Sequence, residues 1–186
     1  MGRAIRNMAV AAAMALALPL AVQGQVIYGG AGILSDVGDI GDVTDAGFLA
    51  LAGVVFPVSE SGFGVGVEGL YSSLGATDSD GSIDILGALA TVGLSFNAEG
   101  NVHPYIYGGA GIVNLDADDE ASGTSDSETK FGFQGVAGVD FGVSDNVGIF
   151  VEGRYLGSSS IDDEAGGDSV SLQALGGAVG ISIGVG

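Results

Sequence analysis

The 186-residue sequence contains no cysteine and no tryptophan, one histidine, three prolines and four basic residues. Without cysteine the chain has no disulfides, so an exported protein of this length must be held together in another way. Four bases against 23 acids give a formal charge of −19, which repels phosphate backbones and argues against nucleic acid as a partner. Hydrophobic residues make up 47% of the chain, too many for a disordered protein.

A long apolar run without interruption occurs only at the start of the chain. Arg3 and Arg6 precede an apolar core over residues 8–22, and small residues follow, which is the pattern of a secretory signal peptide. A membrane-anchoring helix is the alternative, but about 15 apolar residues fall short of the roughly 20 that span a bilayer. We therefore predict a signal peptide over residues 1–24 and one domain over residues 25–186.

The rest of the chain alternates between apolar residues and glycine or polar residues. A period of two is typical of strands with two different faces, and it is clearest in the hairpin over residues 130–156, whose turn lies at residues 144–146. One face of this hairpin is apolar and the other carries the charges. Eight such segments are predicted: 25–34, 46–56, 62–71, 82–96, 102–115, 130–141, 146–156 and 169–185.

The predicted connections alternate in length. Three are short, and four are long and rich in Asp, Ser and Gly: 35–45, 72–81, 116–129 and 157–168. In an antiparallel sheet this places all short links at one end, as in outer-membrane barrels. The sequence thus predicts an all-β protein, an eight-stranded antiparallel up-and-down transmembrane β-barrel.

Aromatic residues lie near both ends of the predicted strands. Phe48 and Phe56, like Phe63 and Tyr71, are about eight residues or 26 Å apart along a strand. Strand tilt reduces this to about the height of an apolar band flanked by aromatic girdles. The predicted girdle residues are Phe48, Phe56, Phe63, Tyr71, Phe96, Phe131, Phe141 and Tyr155.

Two further sequence patterns concern the whole barrel. The heptapeptide IYGGAGI occurs at residues 27–33 and again at 106–112, and VEGLY from Val67 corresponds to VEGRY from Val151. These matches predict an internal duplication of four plus four strands. In the fourth and eighth segments the apolar alternation changes phase, which predicts a β-bulge in each.

The charged face of the strands is predicted to line the lumen. An eight-stranded barrel is just wide enough inside for side chains to fill, and unpaired buried charge is costly. Arg154 is therefore expected to pair with Glu68 or Glu152. A structural polar core is one interpretation, and a gated ion path is the other. The predicted lumen residues are Glu68, Gln134, Asp140, Glu152, Arg154 and Gln173.

Neither catalysis nor a cofactor is clearly indicated. His103 is beside a short link, away from the long loops, so the protein is predicted not to be an enzyme. The acidic clusters are either solvated loop charge or a weak site for Ca²⁺ or Mg²⁺, and a saline habitat would also favour acidity. The candidate metal ligands are Asp78, Asp80, Asp84, Asp116, Asp118, Asp119 and Glu120.

With these features the chain resembles the small outer-membrane β-barrels of the OmpA and OmpX type. The resemblance rests on YGGAGI at Tyr28 and Tyr107, the hairpin from Gly132 and the closing GGAVGISIGVG from Gly176. It implies a monomer that contacts lipid, lipopolysaccharide and the barrel assembly machinery, with periplasmic termini and extracellular long loops. One departure is that the chain ends in Gly186, where such barrels commonly end in an aromatic residue.

Three functions are compatible with the sequence. The first is a structural or surface-interaction role, in envelope integrity, adhesion or cation contact through acidic loops. The second is a narrow porin-like channel for small cations. The third, a soluble exported ligand-binding barrel, requires the apolar face of the strands to point inward.

Overall fold

The computed structural model describes residues 24–37, 46–59, 61–75, 82–96, 100–119, 124–158 and 172–185. The predicted signal peptide lies outside these residues, except for Gly24. Within them, no helix is long and apolar enough to cross a membrane. The eight strands are β1 (Gln25–Asp36), β2 (Gly47–Pro57), β3 (Phe63–Gly75), β4 (Ser82–Ser95), β5 (Val102–Asp119), β6 (Thr124–Gly142), β7 (Val147–Ser158) and β8 (Gln173–Val185).

The strands form a closed barrel in sequence order, and every neighbouring pair is antiparallel. The barrel closes where β1 pairs with β8, with Gln25 opposite Val185 and Asp36 opposite Ala174. Closure satisfies the backbone groups that an open sheet would leave unpaired at its edges, which a lipid environment requires. The predicted fold class is confirmed.

Apolar side chains cover the outside of the barrel. Phe131, Val151 and Val179 are between 50 and 57% exposed, whereas their strand neighbours Lys130, Glu152 and Ala178 are buried inside. Period-two alternation therefore directs the charged face inward and the apolar face outward. A soluble ligand-binding barrel needs the opposite arrangement, so that alternative is wrong.

The third long loop is shorter than the sequence indicates. Residues 116–129 were predicted to be loop, but β5 continues to Asp119 and β6 begins at Thr124. The extension is paired throughout, and Asn114 donates side-chain hydrogen bonds to Ser127 (3.2 Å) and Thr129 (3.1 Å). Residues 116–119 and 124–129 are therefore paired strand despite their polar composition.

The two predicted β-bulges are also wrong within the described strands. β4 pairs without a break from Ser82 to Ser95, and β8 from Gln173 to Val185. Ile85 points inward and is fully buried, while Leu86 points outward in the same continuous register. The apparent phase slip arises because apolar residues occupy both faces at this end of the barrel.

Candidate functional site: the barrel lumen

The lumen has two ends that differ in their connections. The short-turn end contains the links over residues 58–62, 96–101 and 143–146 and both ends of the barrel chain, Gln25 and Val185. The loop end contains the other four connections. From the short-turn end to the loop end, the inward residues form a cavity, a polar cluster and an apolar plug.

The polar cluster is centred on one guanidinium group between two carboxylates. Arg154 Nη1 lies 3.0 Å from Glu68 Oε1, and Arg154 Nη2 contacts Glu152 Oε1. Glu68, on β3, and Arg154, on β7, are only 2 and 3% exposed. Arg154 therefore pairs with both glutamates, where the sequence predicted one or the other. The planar guanidinium can serve two carboxylates at once because its donors point in several directions.

Neutral donors supply the remaining hydrogen bonds of the two carboxylates. The hydroxyls of Tyr28 and Tyr107 each donate to Glu68 Oε2 at 2.8 Å, and Tyr105 donates to Glu152 Oε2 at 2.7 Å. Gln134 Nε2 donates to Glu68 Oε1 at 2.9 Å. Two buried carboxylates that share one cation need such donors, because a buried charge with few partners is strongly destabilising.

The tyrosines fit because glycine faces them across the sheet. A Cβ atom added to Gly53 would lie 2.5 Å from the Tyr28 ring, and one added to Gly138 would lie 2.6 Å from the Tyr105 ring. Each ring therefore occupies the space over a glycine of the neighbouring strand, which packs an otherwise open stretch of sheet. This explains why glycine recurs on the inward face of the strands.

The three tyrosines are the functional residues that sequence reasoning missed. The same alternation that placed Glu152 inward also places Tyr105 and Tyr107 inward, because Ile106 between them is 50% exposed. Tyr28 and Tyr107 stand at the same position of the repeated IYGGAGI motif, and both donate to the same carboxylate. The repeated motif could therefore have identified these tyrosines as lumen residues from the sequence.

The apolar plug fills the lumen between the polar cluster and the loop end. Leu34, Leu49, Leu74 and Ile85 are completely buried in it. These four residues lie on the neighbouring strands β1 to β4, and Val113 on β5 and Leu156 on β7 complete the cross-section from the other side. The plug residues are Leu34, Leu49, Leu70, Leu74, Ile85, Val113, Leu156 and Leu172.

The opposite end of the lumen contains a cavity of about 330 Å³. We call this space the short-turn cavity. Asp140, Glu152 and Tyr105 line it together with several glycines, and it reaches Asn146 and Gly184 at the rim. Ser182 donates a hydrogen bond of 2.5 Å to Asp140 Oδ2. His103 also lines the cavity, and its Nε2 donates to the Gly100 carbonyl.

Two groups of predicted site residues do not join this arrangement. Gln173 was predicted to lie in the lumen, but it is exposed at the start of β8 because Ala174 takes the inward position. Of the candidate metal ligands, Asp84 and Asp116 are opposite each other on β4 and β5. Asp78, Asp80 and Glu120 are outside the described residues, as are the side chains of Asp118 and Asp119. Among the described side chains, no group of three or more acids or histidines could hold a metal ion.

The predicted girdle aromatics are distributed over both ends of the barrel. Phe63, Phe96 and Phe141, near the short-turn end, are 37, 46 and 44% exposed, and Phe48 and Phe131, near the loop end, are 50 and 52% exposed. Phe56 and Tyr155 are half-buried. Tyr71 is only 6% exposed, so its ring presents little surface to the surroundings.

Comparisons with known proteins agree with this architecture. Neisserial surface protein A superposes with a TM-score of 0.65 at 16% identity, covering 87% of this chain and 97% of that one. OprG, an outer membrane protein from Pseudomonas aeruginosa, gives 0.54 at 14% identity, covering 87 and 95%. Ail, the attachment invasion locus protein of Yersinia pestis, gives 0.50 at 17% identity, covering 87 and 100%.

Sequence comparison gives the family directly. No curated protein sequence matches the chain significantly. The model of the outer membrane protein beta-barrel domain family, however, matches residues 8–184, which is nearly the whole chain. The protein therefore belongs to the outer membrane protein β-barrel domain family, and it is an eight-stranded barrel of the outer membrane.

Proposed function

We propose that this protein is a closed surface barrel with a structural or surface-interaction role, and not a pore. The observation that carries the proposal is that two consecutive layers fill the lumen. The polar cluster joins β1, β3, β5, β6 and β7 through Glu68 and Arg154. Above it, the apolar plug contains leucines with no exposed surface, such as Leu34 and Leu74. An ion would have to break a buried ion pair and then cross an apolar layer.

The interaction surface would be the acidic loop end. In our proposal the four loop-end connections are extracellular and both chain ends are periplasmic, as short periplasmic turns are usual for such barrels. Ail has been crystallised with the heparin analogue sucrose octasulfate. With 23 acids against four bases, the present chain would repel such a polyanion, so cations or cationic surfaces are the expected partners.

Planar-bilayer recording tests the closed-barrel proposal. The wild-type protein should give no stepwise current, because the plug and the cluster both remain in place. A variant that combines Leu34→Ala, Leu70→Ala and Arg154→Met should conduct, since it opens the plug and removes the central cation. Glu128→Gln, at the exposed loop end, is the matched control and should remain silent.

A narrow channel for small cations is the second candidate. It is favoured by the short-turn cavity, which already opens part of the lumen and is lined by Asp140 and Glu152. Steady cation-selective current through the wild-type barrel would establish this function and overturn the closed-barrel proposal.

The orientation requires a separate experiment. An epitope tag inserted in the connection between β7 and β8 should bind antibody on intact cells, whereas a tag after Gly186 should bind only after the outer membrane is permeabilised. The reverse result would place the acidic loops in the periplasm and remove the surface role.

No hydrolase activity is proposed. His103 lines the short-turn cavity together with Ser182, but Ser182 donates its hydrogen bond to Asp140, and the His103 ring donates to a backbone carbonyl. A serine nucleophile needs a base as its hydrogen-bond partner, and these contacts provide a different pairing.

A further inference from the structure

In the part of the chain that the structure describes, Asp140 in the short-turn cavity forms no ion pair with a lysine or arginine. Beyond residue 24 the sequence has only two basic residues, Lys130 and Arg154. Lys130 pairs with Glu128 at the loop end, and Arg154 is engaged by Glu68 and Glu152. Asp140 accepts a hydrogen bond from the neutral Ser182. His103 is opposite Asp140 on β5, but its Nε2 contacts the Gly100 carbonyl. The lysine and the arginine of the described residues are thus engaged elsewhere, so Asp140 can pair with a cation from outside the chain.

Asp140 lies at the edge of an extensive aromatic wall. It is opposite Phe150 on β7 and opposite His103 on β5, and Glu152 is the next inward residue of β7. Diagonal neighbours of this kind are about 7–8 Å apart. Tyr105 donates to Glu152 Oε2 at 2.7 Å, and it is opposite Gly138, which makes it a diagonal neighbour of Asp140. This arrangement places the Asp140 carboxylate beside the faces and edges of aromatic rings.

The aromatic rings of the wall are held in fixed orientations. Tyr105 and Tyr107 stack with ring centroids 6.0 Å apart and planes 17° from parallel. Tyr28 and Phe150 meet edge to face, with centroids 6.1 Å apart and an interplanar angle of 85°. Aromatic faces attract cations through the ring quadrupole, and Tyr is among the effective residues. The wall therefore suits a cation with an apolar body rather than a strongly hydrated metal ion.

The cavity has room for such a molecule because inward positions at this end are small. Gly64, Gly93, Gly148 and Gly184 line it, as does Thr91. Its volume of about 330 Å³ falls at the lower limit of typical ligand pockets.

We propose that the short-turn cavity binds small organic ammonium ions, with Asp140 as the charged partner and the Tyr28, Tyr105 and Phe150 rings around the apolar body. On the proposed orientation the ligand enters from the periplasm. The polar cluster lies at the inner end of the cavity, so the ligand binds and leaves by the same side. This assigns a ligand site to a part of the lumen that a purely structural role does not use.

Isothermal titration tests the site with two ligands that differ only in charge. Choline and its neutral isostere 3,3-dimethylbutan-1-ol are titrated at constant ionic strength into the protein purified in dodecyl maltoside, which carries no ammonium group. Choline should bind at least about tenfold more tightly than the neutral alcohol. Equal binding of the two, or no choline binding by the folded wild type, would overturn the proposal.

Asp140→Asn should weaken choline binding by about tenfold or more, because it removes the negative pole and keeps the shape. Glu128→Gln, which removes one acid at the loop end, is the matched control and should bind choline as the wild type does. A shift between unheated and boiled samples on a gel verifies that both variants fold. Unchanged choline affinity in folded Asp140→Asn would contradict the assignment.

A chemical measurement covers the case in which Asp140→Asn does not fold. The chain has no cysteine, so Thr91→Cys introduces a single thiol into the cavity. A cationic methanethiosulfonate should modify it about tenfold faster than an anionic one, and choline should slow the cationic reagent. Ser59→Cys, on an exposed short turn, should show neither difference. Equal rates at Thr91→Cys, or no protection by choline, would overturn the proposal.

Discussion

The two ends of the lumen use the same eight strands in opposite ways. Towards the loop end, inward positions hold leucine, isoleucine and valine, and Leu34, Leu74 and Ile85 have no exposed surface. Towards the short-turn end, many inward positions hold glycine, serine or threonine beside a few larger residues such as Tyr105 and Asp140, and a cavity of about 330 Å³ remains. The backbone is the same closed barrel throughout, so the identity of the inward side chain alone decides whether a section is filled or open.

The polar cluster between these ends separates a filled apolar section of the lumen from an open one. On the cavity side, tyrosines such as Tyr28 and Tyr105 donate hydrogen bonds to its carboxylates. On the other side, Leu70 and Leu156, the next inward residues after Glu68 and Arg154, belong to the apolar plug. Four variants test how much each region contributes, in order of decreasing expected effect.

The largest loss is expected for Arg154→Leu in the polar cluster. This variant leaves Glu68 and Glu152 buried without a cation and should lower the free energy of unfolding by about 3–5 kcal/mol. Urea unfolding in lipid vesicles, followed by the change in gel mobility, measures the loss. Glu128→Gln is the control, since its partner pair is exposed on one side and is worth less than about 1 kcal/mol. Equal effects of the two variants would contradict a central role for Arg154.

The next largest loss is expected for Leu34→Ala in the apolar plug. Leu34 is completely buried, so truncation leaves a cavity and should cost about 2–5 kcal/mol in the same unfolding experiment. Val179→Ala changes an outward residue of β8 that is 57% exposed, and its cost should be smaller because surrounding lipid fills the space. A larger loss at Val179 would mean that the plug is loosely packed.

A smaller loss is expected for Gly148→Ala in the short-turn cavity. A Cβ atom there would lie 2.1 Å from Asp140 Oδ1 and 2.5 Å from Ser182 Oγ, so both side chains must move. This movement should lower the free energy of unfolding by about 1–3 kcal/mol. On the same strand, Gly153 has no atom within 4 Å of the corresponding position. Gly153→Ala should therefore leave the unfolding midpoint unchanged. A difference in the opposite direction would place the crowded wall on the other face of β7.

The smallest effect is expected for Ser182→Ala, which removes the hydroxyl that donates to Asp140. The cavity can supply water as a replacement donor, so the loss should stay at or below about 1 kcal/mol. The same substitution in a filled interior would cost more, so a loss above 2 kcal/mol, as estimated for an unsatisfied buried group, would show that the cavity is dry.

Much of the fold could be predicted from the sequence because alternation with a period of two reports directly which face a residue occupies. The hairpin of β6 and β7 shows the predicted faces, and Arg154 pairs with the acids that desolvation demands. The extended β5–β6 hairpin could not be predicted, because Asp is depleted in strands on average. Backbone pairing from Asp116 to Asp119 overrides that preference.

The lumen was less predictable. Alternation along a strand shows whether a side chain points inward or outward, but it does not show how the composition of the lumen changes along the barrel axis. The apolar plug places leucine on the inward face at one end, which breaks the expected contrast between polar inside and apolar outside. Ile85 and Leu86 therefore looked like a change of phase when both lie in one regular strand. The prediction that Gln173 lies in the lumen was wrong for a related reason. A single polar residue at the end of a strand does not show which residues of that strand point inward.

The polar cluster also constrains the order in which the barrel can be completed. Glu68 belongs to β3, while its cation Arg154 is 86 residues later in the chain, on β7. A nascent sheet that contains β3 but not β7 would expose a carboxylate with no counter-ion, at a depth where lipid solvates charge poorly. The early strands should therefore wait at the membrane surface, and insertion should proceed as one step after β7 has joined the sheet.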